Sequence, residues 1–535
     1  MPARRADPVT VLDPEDIQAC LDHGLPAGEA ERQLALLESG VAPVRLARPC
    51  TAGDGLTVLT TSEADRLVEA WPELGRSCRL VKFVPASGAA SRMFSALSGV
   101  LGEGDPPGLD ELKHAGQEGS ADAALVAEFA ERVSEFAFYE ELALRVGASA
   151  EPSDTGHAYL GYGRGLLSAE GLDYARLPKG LLAFHLYADG SRTPLEEQLF
   201  EAAGYAASSD GCCRLHLTVS GEHLGAFEEL VARVAPLYEQ RFGLRFELSF
   251  SEQKASTDSL SVDDDGGLFC VEGVPLFRAG GHGALIANLA DIDADLVFIK
   301  NIDNVVPESL AAPTVYWKKV LGAVLLELRR DVYASLAELR AEDCGESALD
   351  RADLLISDRL GGEPPRGSAE QRRRGLLQRL DRPIRVCGMV PVTGEPGGGP
   401  FWVETATDES GSGSSQSVQV VEPAQVDLSD PEQARVMAAS THFNPVDLVC
   451  STRDESGRDY ELAGFVDPAT AFLVAKSVAG RSLRALERPG LWNGAMAGWN
   501  TVFVEVPLET FNPVKTVNDL LRPTHVGRMQ QVDNN

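Results

Sequence analysis

Residues 215–253 read LHLTVSGEHLGAFEELVARVAPLYEQRFGLRFELSFSEQ, and this stretch decides the fold. Its two ends, LHLTVSG (215–221) and FELSFSEQ (246–253), have the apolar composition of short strands. Between them, residues 222–243 place apolar side chains at helical spacing. A strand, a helix and a second strand in this order predict an α/β unit with parallel strands.

The same alternation continues on both sides of this stretch. LVKFVPASG (80–88) and ADLVFIKNID (294–303) are further apolar runs of strand length. Residues 121–147 and 315–342 have the spacing of long amphipathic helices. We therefore predict an α/β fold with a doubly wound, mostly parallel sheet.

Composition divides the 535 residues into four predicted segments. Residues 1–75 form a helical region, and residues 76–342 form the α/β core. Residues 343–380, which include GGEPPRGSAEQRRRG, are expected to be a charged, solvated connection rather than a partner site. Residues 381–535 return to strand-like runs, such as NTVFVEVPL, and are expected to complete the core and form a smaller C-terminal lobe.

The charge balance excludes one class of partner. The chain has 80 acidic and 48 basic residues, giving a formal net charge of −32 at pH 7. Such a surface repels the phosphate backbone of DNA or RNA, so we do not expect a nucleic-acid partner. Only nine of the basic residues are lysines, and Lys82, Lys179, Lys254, Lys300 and Lys515 all lie in the segments discussed here.

Hydropathy and cysteine usage indicate a cytoplasmic protein. The mean hydropathy is −0.10, and no apolar run is long enough to span a membrane. The first residues, MPARRADPVTVLDPEDIQ, lack the apolar stretch of a signal peptide. The nine cysteines have no metal-ligand spacing, and we expect them to be reduced and mostly buried.

Two strand ends carry residues suited to phosphate chemistry, because open α/β sheets bind ligands at the carboxyl ends of their strands. The run Ser87-Gly88-Ala89-Ala90-Ser91-Arg92 follows one strand, and its small residues allow backbone N–H groups to approach phosphates. Arg92 adds a cation, although a tight turn with a surface arginine has the same pattern. Asp303 ends another strand, where it would either bind Mg²⁺ or cap the next element.

Four further segments carry candidate binding residues. Lys179 follows a proline and is expected on a loop, although such a lysine is more often a surface residue. Gln253 ends a strand, where its amide has the donor and acceptor needed to pair with a base. Gly280, Gly281 and Gly283 are expected to allow close approach of a flat ligand, and His282 would be a ligand contact, a metal ligand or a packed loop histidine. Lys515 lies in a proline-anchored turn, before a helix that Asn518 is expected to cap.

The order of these segments resembles the eukaryotic-type UDP-N-acetylhexosamine and UDP-glucose pyrophosphorylases over residues 80–521. SGAASR (87–92) resembles that family's GGxGTR triphosphate loop, with Ser87 and Ala90 in place of glycines. FGLRFELSFSEQ (242–253) is similar to the segment whose glutamine contacts uracil, and RAGGHGALIANL (278–289) is similar to DGNGGLYRAL. FIKNIDN (298–304) resembles the strand whose aspartate binds Mg²⁺.

The resemblance extends into the last third of the chain. GEPGG (394–398) and QVVEPAQV (419–426) are similar to segments that surround the sugar, which implies sugar contacts for Glu395, Gly397 and Glu422. Asn444 matches a sugar-site asparagine, and FNPVKTVNDLL (511–521) resembles the segment whose lysine contacts phosphate. The resemblance makes residues 76–342 the nucleotide-binding core and residues 381–535 the sugar side. The chain is also identified as a member of an uncharacterised bacterial family, a domain of unknown function built on this pattern.

The resemblance implies a nucleotidyltransferase with a nucleotide-diphospho-sugar transferase core of the GT-A-like Rossmann type. It would join a nucleoside triphosphate, with UTP favoured, to a sugar phosphate and release pyrophosphate. Arg92, Lys179 and Lys515 would neutralise phosphates, and Asp303 would hold Mg²⁺. The alternatives are a non-catalytic nucleotide-sugar sensor and a nucleotidyltransferase with a non-sugar acceptor. An NAD-dependent dehydrogenase is disfavoured, because SGAASR lacks the GxGxxG glycines.

Overall fold

A computed structural model describes residues 12–88, 90–102, 106–147, 158–394, 397–405, 415–478 and 480–527. The chain divides into two compact units. The first unit comprises Met1–Leu80, Ser251–Ile299 and Lys319–Leu508. The second unit comprises Val81–Phe250, Lys300–Lys318 and Glu509–Asn535. The four segments predicted from composition stay a prediction.

Helices and strands alternate through most of the chain. The α-helices are α1 Pro14–His23, α2 Ala27–Ser39, α3 Thr61–Leu74, α4 Ser95–Leu101, α5 Leu109–Gln117, α6 Ala121–Arg132, α7 Tyr139–Val146, α8 Ala158–Leu167, α9 Pro194–Tyr205, α10 Gly221–Phe242, α11 Leu285–Leu289, α12 Ala312–Arg340, α13 Glu346–Leu355, α14 Ala369–Leu380, α15 Pro431–Ala438 and α16 Pro523–Val526. The strands are β1 Leu46–Pro49, β2 Thr51–Ala52, β3 Gly55–Thr57, β4 Leu80–Pro85, β5 His185–Tyr187, β6 Gly190–Arg192, β7 Cys212–Thr218, β8 Arg245–Ser251, β9 Ser261–Val262, β10 Cys270–Val271, β11 Val274–Pro275, β12 Leu296–Ile299, β13 Ile384–Pro391, β14 Gly399–Thr405, β15 Ser415–Val421, β16 His442–Ser451, β17 Phe472–Val478, β18 Arg481–Glu487 and β19 Asn500–Glu505. None of the described helices is long and apolar enough to cross a membrane.

The main sheet of the first unit is mixed. Its strands follow the order β2-β3-β19-β13-β16-β12. β13, β19 and β3 are parallel, with Val386 opposite Val502 and Phe503 opposite Leu56. β16 is antiparallel to both of its neighbours, β13 and β12. Two smaller antiparallel sheets, β1-β14-β15 and β17-β18-β9, belong to the same unit.

In the second unit, β4 and β7 run parallel, with Phe83 opposite His216, and β8 follows β7 in the sheet. α10 connects β7 to β8, as the spacing in residues 215–253 predicts. A core of buried apolar residues packs α4–α8 together with Val514, Val517, Leu520 and Leu521. The last described residues of the chain are therefore anchored in the core of this unit.

The predicted α/β class with a mostly parallel sheet is confirmed, and one strand departs from the parallel arrangement. β16 runs antiparallel between β13 and β12. β13 and β16 are not linked by a crossover helix that would cover the sheet. Instead, the chain between them passes through the β-hairpin of β14 and β15 and the short helix α15, and returns in the opposite direction.

Three local predictions also need correction. Residues 121–147 form two helices, because the chain turns at Val133–Glu135 and places Phe136 and Phe138 in the core. The charged stretch 343–380 contains α13 and α14, so only part of it is an irregular connection. The first 75 residues contain the short strands β1–β3 in addition to helices. All nine cysteines are free, and seven are buried, which confirms the expectation of mostly buried thiols.

Candidate functional site

Two segments of the second unit carry the predicted phosphate-binding residues. The segment that begins at Lys300 runs beside β4, and the N–H of Ile302 donates to the carbonyl oxygen of Pro85 at 3.3 Å, where the chain turns at residues 302–303. On the other side of β4, the N–H of Ala86 donates to the carbonyl oxygen of Thr218 at 2.9 Å. Asp303 and the loop that begins at Ser87 thus lie near the carboxyl end of β4, and open α/β sheets bind ligands at the carboxyl ends of their strands.

Lys179 joins Asp303 to a third segment that is distant in sequence. Its Nζ lies 2.7 Å from Asp303 Oδ2 and 2.6 Å from the carbonyl oxygen of Val514. The side chains of Lys179 and Asp303 are 19% and 18% exposed, so the pair remains accessible to a ligand. The segments that carry Lys179, Asp303 and Lys515, which are far apart in sequence, therefore meet at the ammonium group of Lys179.

Lys515 projects from a turn that is fixed at both ends. The backbone N–H groups of Lys515 and Thr516 each donate to Asp519 Oδ2 at 2.7 Å, while Val514 and Val517 are buried. The side chain of Lys515 is exposed. The predicted cap, Asn518, is wrong: Thr516 takes the N-cap position, and Asn518 instead donates to Leu125 O and Glu128 Oε2, both at 2.9 Å.

Asn304 is a positioning residue that the sequence analysis did not identify. Its Oδ1 accepts the N–H of Asn512 at 2.7 Å, and its Nδ2 donates to the carbonyl oxygen of Thr510 at 3.2 Å. These bonds hold the segment of Lys515 beside Asp303. An asparagine directly after the predicted metal ligand was the available signal, but its partners are more than 200 residues away in the chain.

The predicted phosphate loop has one backbone donor already in use. Ala90 is fully buried, and its N–H donates to the carbonyl oxygen of Leu177 at 3.1 Å. This bond connects the loop to Leu177, which is two residues before Lys179. Ser91 and Arg92 are exposed, Ser87 is half-buried, and Gly88 has open space where a Cβ would lie. Ala89 lies outside the described residues.

Two of the lysines selected from the sequence lie in the core. Lys82 Nζ is 3.2 Å and Lys300 Nζ is 2.9 Å from the carboxylate of Glu201, and all three side chains are buried. Burial lowers the pKa of Lys82 to about 8. Burial alone would raise the pKa of Glu201, but Lys300 and Lys82 outweigh it and lower that pKa. These lysines support the strands and do not contact a ligand; Lys254 forms a surface pair with Asp291 at 2.6 Å.

In the first unit, Gln253 and His282 each present a buried polar atom without a partner among the described residues. The atoms are Gln253 Oε1, an acceptor, and His282 Nε2. His282 Nδ1 accepts the N–H of Leu491 at 3.0 Å, so the proton of the neutral ring is on Nε2, which is therefore a donor. Burial lowers the pKa of His282 to about 4, which keeps the ring neutral at pH 7.

The glycines around His282 have different roles from those predicted. A Cβ at Gly280 would lie 2.3 Å from Thr257 O, and one at Gly283 would lie 2.7 Å from Pro489 O. These two glycines allow the chain to pack against itself, which corrects the prediction that they face a flat ligand. Gly281 has φ +58 and nothing within 4 Å of its Cβ position, so it remains open to a ligand.

The predicted sugar-side residues meet in the first unit. Asn444 Nδ2 donates to Glu422 Oε1 at 2.6 Å, and Asn444 Oδ1 is buried without a partner among the described residues. A Cβ at Gly397 would lie 2.3 Å from the ring of Phe443, so this glycine packs beside the pair. Glu395 lies outside the described residues.

The fit to Mg²⁺ depends on Asp303. Among the described residues, no three His, Cys, Asp or Glu side chains come together as a metal-binding group. Mg²⁺ is often held by one or two carboxylates, with water and substrate phosphates as the remaining ligands. Asp303 could supply one carboxylate ligand to such a site near the phosphate loop. The described residues do not fit a site in which protein side chains supply all of the metal's ligands.

Comparison with known proteins identifies the family. The chain belongs to the family described as Domain of unknown function (DUF4301), whose model matches residues 13–526. This confirms the identification made from the sequence. No curated protein matches the chain.

Similar solved structures include two trypanosomatid enzymes. UDP-glucose pyrophosphorylase from Leishmania major, in complex with UDP-glucose, is 13% identical with a TM-score of 0.44, over 96% of this chain and 79% of that one. UDP-N-acetylglucosamine pyrophosphorylase from Trypanosoma brucei, in complex with an inhibitor, is 10% identical with a TM-score of 0.44, over 95% and 78%. Such TM-scores do not establish a function, so the function has to be argued from the residues themselves.

Proposed function

We propose that the chain is a nucleotidyltransferase that joins a nucleoside triphosphate, with UTP favoured, to a sugar 1-phosphate. The observation that carries this proposal is the contact of Lys179 with both Asp303 and the carbonyl oxygen of Val514. It brings together a cation, a carboxylate and the turn of Lys515 beside the phosphate loop. These are the groups that phosphoryl and nucleotidyl transfer require, because the reaction depends on positioning and charge neutralisation.

In the proposed reaction, an oxygen of the sugar phosphate forms a bond to the α-phosphorus. The bond from that phosphorus to the bridging oxygen breaks, and pyrophosphate leaves with the electron pair. Arg92 and Lys179 hold the β- and γ-phosphates, and Lys515 neutralises the attacking phosphate. Asp303 would hold Mg²⁺, which supplies further neutralisation of phosphate charge when it is bound.

The base is assigned to Gln253, Gly281 and His282. Uracil has one N–H donor between two carbonyl acceptors. The acceptor Oε1 of Gln253 and the donor Nε2–H of His282, both without a partner among the described residues, complement this edge. The open position at Gly281 allows the plane of the base to approach the backbone.

The sugar is assigned to the pair of Glu422 and Asn444. Asn444 holds one oxygen of the Glu422 carboxylate, which orients the other oxygen. A carboxylate and an amide oxygen are acceptors for sugar hydroxyl groups. Under this proposal the chain has a nucleotide-diphospho-sugar transferase core of the GT-A-like type and is a cytoplasmic enzyme.

The second candidate is a nucleotide-sugar sensor without catalytic activity. One observation favours it: the N–H of Ala90, at the position of a loop glycine, already donates to Leu177 O. A phosphate loop with fewer free donors would bind a diphosphate but stabilise the transition state less.

Pyrophosphate release tests the proposal. The purified protein is incubated with Mg²⁺ and each of UTP, CTP, GTP and ATP, against a panel of sugar 1-phosphates. We expect release with one pair, and that pair names the base and the sugar. Lys113→Ala, which removes an exposed lysine paired with Glu131, is the matched control and should behave as the unchanged protein. Thermal stabilisation by a UDP-sugar without any release would support the sensor instead.

A further inference from the structure

A polar cavity lies in the first unit, at the amino ends of β13 and β19. Its volume is about 1060 Å³, and its walls include Arg379, Arg382, Gln419, Phe465, Trp499 and Thr501. The Glu422–Asn444 pair lies toward the other end of β13, because Pro445 is opposite Met389 in the sheet. β13 has eight residues, so its ends are about 25 Å apart at roughly 3.3 Å per residue. Gln419 of the cavity wall is three residues before Glu422, roughly 10 Å at about 3.3 Å per residue, but neither Glu422 nor Asn444 lines the cavity, so the two sites have different residues.

Two half-buried guanidinium groups in this cavity have no acidic partner. Arg379 donates to Asn500 Oδ1 and, at 3.5 Å, to the carbonyl oxygen of Gly361. Arg382 donates to the carbonyl oxygens of Gln378 at 2.9 Å and Gly498 at 3.5 Å. Every one of these acceptors is neutral, and within the part of the chain that the structure describes neither arginine pairs with a carboxylate. Their charges are left uncompensated.

The other arginines of the cavity wall have carboxylate partners. The wall also contains Glu363, which pairs with Arg366 at 2.9 Å, and Asp467, whose carboxylate accepts the N–H of Ala469 at 2.9 Å; Arg379 and Arg382 together outnumber this one carboxylate. Arg340 lies 2.7 Å from Asp381, and Arg374 lies 3.4 Å from Glu370 on the exposed face of α14. Asp381 also accepts the hydroxyl of Tyr460 at 2.8 Å, so it is not available to Arg382. Arg379 and Arg382 are thus exceptions among the arginines of this wall.

A third uncompensated arginine lies directly behind the cavity. Arg385 is fully buried on β13, and its Nε donates to the hydroxyl of Thr501, which lines the cavity, at 2.8 Å. Its Nη1 donates to the carbonyl oxygen of Trp492, and its Nη2 has no partner among the described residues. Burial lowers the pKa of Arg379 to about 10, so its guanidinium group remains protonated at pH 7. Burial also lowers the pKa values of Arg382 and Arg385.

Two neutral groups of the cavity also lack partners among the described residues. They are the indole Nε1 of Trp499, which is a donor, and the Oε1 of Gln419, which is an acceptor. Phe465 contributes an apolar ring to the same wall. Buried cations and unpaired polar atoms are costly in a folded protein, and this cost is removed when an anion with further polar groups binds.

We infer that this cavity binds the phosphate group of a small organic molecule, at a site separate from the proposed catalytic residues. Guanidinium groups match the oxygens of phosphate in a bidentate geometry, and two of them converge here. The volume accommodates a drug-sized metabolite rather than a single ion. The run RLDRPIR (379–385), with arginines at every third position, is the sequence signature of the site.

Isothermal titration calorimetry tests this inference on the full chain. The probes are inorganic phosphate and glycerol 3-phosphate, at constant ionic strength in chloride. Arg382→Met and Arg379→Met remove the uncompensated cations. Arg374→Met is the matched control, because it removes a cation from the same wall that already has a carboxylate partner. Lys515→Ala separates this site from the proposed catalytic site.

We expect the unchanged protein, Arg374→Met and Lys515→Ala to bind one or both probes with similar Kd. Arg382→Met should weaken binding by about tenfold or more, since a charge-assisted hydrogen bond is lost. Arg382→Met should also keep or raise the melting temperature without ligand, because it removes an uncompensated charge; if Arg379→Met does not fold, Arg382→Met decides alone. Binding that survives in Arg382→Met, is lost in Lys515→Ala, or is absent in the unchanged protein overturns the inference.

Discussion

Lys179 and Lys515 lie on either side of the same turn but differ in how they are held. The ammonium of Lys179 is fixed between Asp303 and Val514 O, at 2.7 and 2.6 Å. The side chain of Lys515 is exposed, and its backbone N–H donates to Asp519 Oδ2 at 2.7 Å. Lys179 therefore contributes to the shape of the site, whereas the exposed Lys515 side chain is accessible to a ligand.

Lys515→Ala should lower turnover far more than stability. Losing a cation that neutralises transition-state charge typically costs about 10²–10³-fold in kcat. The backbone bonds to Asp519 do not need the side chain, so the free energy of unfolding should change by no more than about 0.5 kcal/mol. Steady-state kinetics and urea unfolding measure the two effects, with Lys113→Ala as control. Equal proportional losses of activity and stability would show that Lys515 is structural.

Asp303→Asn should abolish the dependence of activity on Mg²⁺. The substitution keeps the shape of the side chain but removes the negative charge that would hold the cation. We expect residual pyrophosphate release that no longer rises with Mg²⁺ concentration. Asp291→Asn, which removes an exposed carboxylate paired with Lys254, should leave the Mg²⁺ dependence unchanged. An Asp303→Asn protein with the original Mg²⁺ dependence would exclude Asp303 as the ligand.

His282 makes stability depend on pH in a defined window. Its folded pKa is about 4, below the ordinary value of 6.5, because burial disfavours the charged ring. Between pH 6.5 and pH 4, the His282 ring binds a proton in the unfolded chain but not in the folded protein. The contribution of His282 to the unfolding free energy is therefore fully present above pH 6.5 and is lost as the pH falls toward 4. The loss is at most about 1.4 kcal/mol per pH unit.

Urea unfolding at a series of pH values measures this effect. His282→Asn should flatten the decline in unfolding free energy between pH 6.5 and 4. His114→Asn, at a side chain that is 73% exposed, is the matched control and should leave the decline unchanged. Identical pH profiles for His282→Asn and the unchanged protein would contradict the burial of a neutral ring.

Some site residues could be predicted from the sequence, and others could not. The positions of Asp303, Ser87 and Lys515 in turns after apolar runs are predictable from the sequence, while their binding roles stay a prediction. The roles of Asn304 and of the Ala90 N–H depend on partners that only the tertiary structure brings close, Asn512 and Leu177. Lys82 and Lys300 resemble ligand-binding lysines in sequence, but their partner Glu201 lies on a distant helix.

At the scale of elements, α9 connects the strands of the second unit to the site. Thr193 caps the helix with a capping box, in which Glu196 is the partner. One turn further on, Gln198 Nε2 donates to the carbonyl oxygens of Asn301 and Ile302, at 3.0 and 3.3 Å. α9 therefore fixes the strand end that carries Asp303.

Glu201→Gln should destabilise the second unit strongly. The substitution leaves Lys82 and Lys300 buried without their shared carboxylate, and breaking such a buried pair costs about 3–5 kcal/mol. The unfolding free energy measures this cost. Glu222→Gln, at an exposed glutamate of α10, should change it by less than about 0.5 kcal/mol. A loss below about 1 kcal/mol for Glu201→Gln would contradict the role of this cluster.

The elements found from the sequence are those with a continuous apolar pattern. β4, β7 and β12 are predictable because several successive positions are buried, and α10 because its buried positions recur at helical spacing. β8 has only Phe246 buried and is predictable from its strand-like composition. β2 and β3 have two and three residues, which is too short for a pattern. α14 was missed because only Leu376 and Leu380 of its twelve residues are buried, so its sequence has the composition of a solvated loop.

At the scale of the whole molecule, the residues with proposed roles are found in both compact units. The second unit contains Arg92, Lys179, Asp303 and Lys515, for which we propose contacts with phosphates or Mg²⁺. The first unit contains Gln253, His282, Glu422 and Asn444, for which we propose contacts with the base and the sugar. In a chain with a net charge of −32, the three cations of this set in the second unit would supply the local attraction that a triphosphate needs.

The central claim is that the chain transfers a nucleotidyl group, and a labelled substrate tests it most directly. UTP labelled at the α-phosphorus is incubated with Mg²⁺, a panel of sugar 1-phosphates and stoichiometric protein. The account predicts that the label moves into a nucleotide-sugar, and that Lys515→Ala slows this transfer while Lys113→Ala does not. Label that remains in UTP across the panel, in a protein that still binds a UDP-sugar, would contradict the account.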